Sequence, residues 1–350
     1  MNLSFYIKKL KSTDLSRFDE TAKRIAAKTG KSWKAIRRDI YYCTLRYGSG
    51  HVDYEFFEMY NKNHKERDEI LTLGKNNKIF KAFNDKRYIQ YFEDKAIFNK
   101  KFNSFLKRDW LVLGKGKTFG SIEGTALKES DLVAGSDAEA FKSFLEGKEY
   151  IMVKPLHESC GRGIEKIKVS DWDSEELYMY LVDNDKPLVE EVVKQDKTMN
   201  LLSADSVNTI RVITILKDGK AVIVSGGIRM GKPGSVVDNF NSGGISTIYD
   251  YKTGVILSDG FDKDRNVFES VPGSDTALKG FQIPKWDEVL TLIQEAANMV
   301  PQVGYVGWDV CISEDYGPLL IEGNSYPSQD LSQDLSLKQG TYRSIMEAIK

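Results

Sequence analysis

Two carboxylates and an amide near the C-terminus carry the most chemistry in their spacing. Gly304 to Ile312 alternates as a strand, Ser313 to Pro318 reads as a turn, and Leu319 to Asn324 returns as a second strand. With Ser313 paired to Pro318, Asp309 falls opposite Glu322, and Asn324 lies two residues along on the same face. Opposed side chains are ~5 Å apart at Cβ, where like charges destabilise a sheet unless something neutralises them. A hard divalent cation does so, and oxygens from Asp, Glu and Asn suit Mg²⁺ bridging nucleotide phosphates. Two solvated carboxylates on an outer face are the competing reading, and a one-residue slip would turn one of them away.

A second constellation is Tyr150-Ile-Met-Val-Lys154-Pro155, followed by Glu158-Ser159-Cys160-Gly161-Arg162-Gly163. The strand ends in a lysine, proline stops the ladder, and small residues let backbone N–H groups close over a phosphate. An ordinary surface turn with a solvated lysine fits the same string. No G-x-G-x-x-G follows a strand here, and Gly114-Lys-Gly116-Lys117-Thr118 is no P-loop, because the required first glycine falls at Leu111. Pro187-Leu-Val-Glu190-Glu191-Val-Val193 is a short acidic strand that can offer a backbone edge and a carboxylate to an adenine, or simply an edge guarded by charge. Arg211 sits inside the alternating strand Asn208-Thr-Ile-Arg-Val-Ile-Thr, where an inward arginine needs an anionic partner. Arg229 and the loop Asp238-Asn239-Phe-Asn-Ser-Gly243-Gly244 follow, and a salt bridge accounts for each arginine taken singly.

The elements that must position these groups differ along the chain. Asp14 to Lys28 and Ser32 to Tyr47 have helical apolar spacing, with Gly30, Gly48 and Gly50 as stops. From Tyr150 onward, short β-rich runs at 150–153, 188–193, 210–216, 221–225, 305–312 and 319–322 alternate with helical stretches at 174–182 and 286–299. Ser328 to Ser336 contains a short S-Q-D-L echo that reads as a solvated turn or cap. The 350 residues carry 50 basic and 51 acidic side chains, so a nucleic-acid binder working through bulk charge is not expected. No apolar run reaches the ~18 residues needed to span a bilayer. The opening Met1–Lys9 breaks into charge too early for a signal peptide, and Cys43, Cys160 and Cys311 make no C-x-x-C. A cytoplasmic protein is expected, not an integral membrane one.

The order lysine, glycine loop, acidic hinge, arginine strand, Asn-Gly-Gly loop and Asp…Glu-x-Asn resembles the ATP-grasp superfamily, whose members clamp ATP between two α+β lobes. Lys154 is similar to its lysine strand, 158–163 to its mobile loop, and Asp94-Lys95 to the pair carrying an earlier nucleotide lysine. Glu190, Glu191 and Val193 resemble the adenine hinge. Arg211, Arg229 and Asn239 fall where glutamate-adding members place phosphate contacts. Asp309, Glu322 and Asn324 match the metal ligands. His51-Val-Asp-Tyr54, Phe56-Phe57, Glu66-Arg67, Phe98-Asn99, Asn208-Thr-Ile-Arg211 and Asp238-Asn239 carry a finer resemblance to the sugar-transfer-associated group, which is linked to bacterial surface polysaccharides. Thr209 stands where an acid should hold the ribose, so Asp196 or Asn208 would substitute.

The resemblance implies an α+β ATP-grasp fold with a helical N-terminal extension. Its expected parts are a helical region 1–85, an N-terminal lobe or connector 86–145, a small lobe 146–200 and a large lobe 201–350. It implies ATP and Mg²⁺ as cofactors, with ATP at Lys95, Lys154, Ser159, Cys160, Gly161, Glu190, Glu191, Val193 and Asn208. The catalytic contacts would be Arg211, Arg229 and Asn239. The implied activity is a carboxylate–amine ligase working through an acyl phosphate, joining an amine or amino acid to a uronic-acid-type sugar. A sugar kinase and a non-catalytic nucleotide-binding partner of glycosyltransferases are the alternatives. The N-terminal helices read as a dimerisation or a partner surface.

Overall fold

The computed structural model describes residues 16–114, 118–119, 126–158, 161–240, 243–329, 332–335, 337 and 339–350. Ser159 and Cys160, the stretch 1–9 and residues 115–117 of the glycine-lysine string therefore lie outside the described residues. The chain divides into two compact units, one of residues up to Ala82 together with those from Ser328, the other Phe83–Pro327. Residues 328–350 thus group with the N-terminal helices and not with the 201–327 stretch.

The first unit is helical. Helices Ser16–Thr29 and Trp33–Tyr47 place Phe18, Ala22 and Ile25 against Ile36, Ile40 and Cys43, the three-and-four spacing of a buried face. Gly48 ends the second helix at φ +73°, and a Cβ there would lie 2.9 Å from the Cα of Gly74, so this close approach requires glycine. Arg67 forks onto Asp39 at 2.9 and 2.7 Å and donates to the Met59 carbonyl, while the Tyr54 hydroxyl donates to Asp39 at 2.7 Å. Asp330, Leu331 and Ser336 of the S-Q-D-L echo lie outside the described residues, and its two glutamines are not free in solvent. Gln329 donates to Asp53 at 3.1 Å, and Gln333 accepts from the Leu71 N–H at 2.9 Å and donates to the Leu71 carbonyl at 3.0 Å.

The second unit carries two large antiparallel sheets, besides a two-stranded antiparallel pair of Thr118–Phe119 with Val133–Ala134. The smaller consists of β1 (Trp110–Val112), β2 (Tyr150–Lys154), β3 (Glu165–Lys168) and β4 (Leu188–Glu191), in the order β1-β4-β2-β3. Helices Ala138–Leu145 and Ser174–Asp183 bury Phe141, Leu145, Leu177 and Leu181 with Ile151, Val153 and Val189 of this sheet. The larger contains β5 (Thr209–Lys217), β6 (Lys220–Met230), β7 (Ile245–Thr247), β8 (Gly260–Phe261), β9 (Val267–Phe268), β10 (Tyr305–Ser313) and β11 (Gly317–Asn324). Its order is β9-β8-β7-β6-β5-β10-β11, so β5 and β10 are central. Both strands are almost wholly buried, which is why apolar residues stand on both faces of each. Helix Trp286–Ala297 covers this sheet through Val289, Leu292, Ile293 and Ala296. The class is α+β with a helical N-terminal region, as expected from the sequence.

Candidate functional site

The β10–β11 hairpin brings Asp309 opposite Glu322, but by a route the sequence does not suggest. Ser313 pairs with Gly317, not Pro318, because Gly317 at φ +67° closes a tighter turn and Ser313 Oγ accepts from the Asp315 and Tyr316 N–H groups. That register continues through Val310–Leu320 and would turn Glu322 away. A β-bulge then skips Ile321, and Asp309 pairs with Glu322, Trp308 with Gly323 and Gly307 with Asn324. The Asn324 amide lies 3.4 Å from Glu322 Oε1.

The arginines extend this row across the sheet. Arg211 on β5 pairs with Asp309 on one side and Gly227 on the other, and Arg229 lies two residues beyond Gly227 on the same face. Arg211 forks onto Asp309 at 2.5 and 2.9 Å, and Arg229 adds a bond of 3.0 Å to Oδ2. Gly307 makes room for this fork, since a Cβ there would meet Arg211 Cδ at 3.3 Å and Pro327 Cβ at 2.8 Å. Asp238 lies 3.6 Å from the other side of Arg229 and accepts from the Thr209 N–H at 3.0 Å. Burial favours the neutral Asp309 carboxyl, but Arg211 and then Arg229 outweigh it and hold it at about 2. Glu322 goes the other way: burial first, then the charge of Asp309, raise it above the usual carboxylate range.

The two lysines sit beside this row. Lys95 begins the helix Lys95–Lys101, which Asp94 caps by accepting from the Ala96 and Ile97 N–H groups. Its ammonium donates to the Glu158 carbonyl and lies 3.4 Å from that of Leu156, so it holds the loop after Lys154. Burial lowers its affinity for a proton; Glu322 opposes that and Lys154 adds to it, so all three share one electrostatic neighbourhood. Lys154, at the end of β2, bonds Glu190 on β4 at 2.5 Å. Glu190 also accepts from Asn99 at 2.7 Å and Arg108 at 2.9 Å. Burial would neutralise this carboxyl, but Arg108 and Lys154 keep it well below the usual range.

Other expected positions do different work. Glu190 and Glu191 offer no free backbone edge, since β4 lies between β1 and β2 with Trp110 opposite Glu190 and Ile151 opposite Glu191. Val192 and Val193 lie beyond the ladder. Asn208 is fully buried and donates to the Met199 and Ser203 carbonyls, clamping its own loop. Asp196 caps the short helix Lys197–Asn200. Gly161 approaches Asn239, whose Cβ would lie 3.5 Å from a Cβ on the glycine. The sequence motifs assign no role to Arg108 or Gly307. Arg108 precedes Trp110 by two residues and so shares a face with Glu190, but a three-residue strand carries no periodic signal.

Among the described residues no three His, Cys, Asp or Glu side chains gather to hold a metal. The available set is Asp309, Glu322 and the Asn324 amide. It fits one hard dication, whose charge would offset the burial and the Asp309 charge that raise the Glu322 carboxyl. Among the described residues no helix is long and apolar enough to cross a membrane.

Residues 174–345 match the family described as sugar-transfer associated ATP-grasp. No curated protein matches the chain. Among solved structures it is similar to ATP-grasp ligase PsnB complexed with minimal precursor, at 12% identity and a TM-score of 0.37 over 70% of this chain and 56% of that one. It is also similar to D-alanyl-alanine synthetase A from Vibrio cholerae O1 biovar eltor str. N16961, at 14% identity and 0.38 over 68% of this chain and 56% of that one. D-cycloserine synthetase DcsG gives 11% identity and 0.37 over 75% of this chain and 70% of that one. The chain spans little more than half the length of the first two. The matched segment contains Glu190, Arg211, Arg229, Asp309 and Glu322; Lys95 and Lys154 precede it.

Proposed function

We propose that this chain, whose residues 174–345 belong to the sugar-transfer associated ATP-grasp family, is an ATP-dependent carboxylate–amine ligase. One observation carries the reading: the opposed Asp309 and Glu322 carboxylates stand in a row with Arg211 and Arg229, within the field of Lys95 and Lys154. Such an arrangement suits a polyphosphate and its cation, and nothing in folding alone calls for it.

Bound to Glu322, Asn324 and Asp309, Mg²⁺ would supply charge neutralisation between the β- and γ-phosphates. Lys154 and Lys95 would steady the phosphates as point charges. Arg211 and Arg229, oriented by Asp309, would face the charge that develops on the transferred group. A substrate carboxylate oxygen would attack the γ-phosphorus as the bond to ADP breaks, giving an acyl phosphate. An amine would then attack the acyl carbon, phosphate would leave, and the nitrogen would lose a proton as the amide forms. Positioning and electrostatics do most of this work. The family's description supports a sugar-linked acceptor, for which a uronic-acid-type sugar supplies the carboxylate.

The test is ADP release from Mg-ATP with pooled uronate sugars and pooled amino acids, together and apart. Turnover that needs both pools, and that Glu322→Ala abolishes without unfolding, is the expected result. Undiminished release by that variant would remove the metal assignment.

A further inference from the structure

Arg108 ties the lysine of the small sheet to the bulge of the metal hairpin. Strand parity puts it on the face of Glu190, because Trp110 pairs with Glu190 and Arg108 lies two residues before it. Lys154 shares that face, since Met152 pairs with Glu190 and Lys154 lies two residues after it. Arg108 Nη2 donates to Glu190 Oε1 at 2.9 Å, and Nη1 donates to the Leu320 carbonyl at 2.6 Å, with Nη2 3.4 Å from that of Ile321. Leu320 is the last residue in the turn's register and Ile321 the residue the bulge skips. The Arg108 side chain is 2% exposed and that of Glu190 3%, so neither can trade these partners for water.

We propose that Arg108 is a positioning residue for the nucleotide–metal site: its two-ended fork fixes the β11 bulge, and with it Glu322, against the Glu190 that holds Lys154. The inference rests on the nucleotide-binding reading above. A bulge leaves backbone carbonyls without ladder partners, and a buried carbonyl left unpaired is costly. The planar fork serves the carboxylate and the carbonyls at once. A lysine ammonium can hold Glu190 but cannot match that geometry. Losing the fork frees the bulge to slip, and one residue of slip turns Glu322 from the cation. Lys154, by contrast, acts on phosphate directly and has no part in the register.

The experiment measures ATP affinity by calorimetry, with Mg²⁺ and with EDTA, for the wild type and for Arg108→Lys, Arg108→Gln and Lys154→Gln. The wild type binds more tightly with Mg²⁺. In the Arg108 variants that gain falls roughly tenfold to a hundredfold, the usual range for losing a group that supports a metal ligand, while affinity in EDTA changes little. Lys154→Gln does the reverse, losing affinity in EDTA and keeping the gain. A merely structural role would lower both affinities together, and that result, or an Arg108 variant that keeps the wild-type gain, overturns the inference. A wild type with no Mg²⁺ gain overturns the nucleotide-site reading itself and the inference with it.

Discussion

Asp309 and Glu322 face each other because β11 uses one more residue than β10 between the turn and the site, Ile321 being skipped in the pairing. The extra residue converts a register that would separate the two carboxylates into one that opposes them. Arg211 and Arg229 then stabilise the Asp309 charge and leave Glu322 as the member whose carboxyl is raised above its ordinary range, by burial and by Asp309. A sheet that builds such a pair stores repulsion at one point, and it is there that a cation would bind.

That repulsion has a measurable cost. Glu322→Gln removes the ionisable member of the opposed carboxylates and should stabilise the protein by about 0.2–1 kcal/mol, the range for a cross-strand pair. The same variant should lose the Mg²⁺-dependent part of nucleotide binding. A lower melting temperature together with intact Mg²⁺ dependence would contradict the assignment.

The Arg211–Asp309 fork is buried, so breaking one side should cost more than removing both. Arg211→Met should destabilise the protein by roughly 3 kcal/mol by leaving Asp309 short of positive charge. Adding Asp309→Leu should recover part of that loss, giving a coupling of about 1–3 kcal/mol in a double-mutant cycle. Additive effects would mean that the two groups do not depend on each other.

Gly307 should tolerate no side chain. A Cβ would lie 2.8 Å from Pro327 and 3.3 Å from Arg211 Cδ, so Gly307→Ala must displace the fork. The expected cost is about 1–3 kcal/mol, with weaker ATP binding measured on the folded fraction. Wild-type affinity in this variant would show that the arginine's position is not critical.

Glu190 makes stability depend on pH. Its folded carboxyl titrates well below the ordinary value of ~4.3, so between those values the folded state binds fewer protons than the unfolded one. The stability this contributes is complete above ~pH 4.3 and is lost progressively as pH falls below it. Glu190→Gln should therefore be less stable at pH 7 by roughly 3–5 kcal/mol, and denaturant titrations should show the gap to wild type narrowing below ~pH 4.3. A gap that stays constant down to pH 3 would argue against the buried ion cluster.

The β-rich runs of the second unit and the two long N-terminal helices were legible because each carries several turns or pleats of pattern. So was the opposition of Asp309 and Glu322, although through a turn pairing one residue out, which the bulge at Ile321 offsets. A bulge has no signature in apolar alternation, so its position could not be read. The open edge expected at Glu190 fails for a related reason. Three-residue β1 is too short to show a period, and without it β4 looks like an edge open to adenine. The glutamines of the S-Q-D-L echo are polar and resemble solvent-facing residues. Their backbone and side-chain partners at Leu71 and Asp53 lie more than two hundred residues away in sequence.

The most direct test of the ligase reading is to trap its intermediate. Mg-ATP, pooled uronate sugars and hydroxylamine are incubated with the wild type and with Glu322→Ala, and hydroxamate and ADP are measured together. An acyl phosphate reacts with hydroxylamine, so the account expects hydroxamate and ADP in equal amounts from the wild type and neither from the variant. ADP accompanied by a stable phosphorylated sugar and no hydroxamate would contradict it, and would make the protein a kinase.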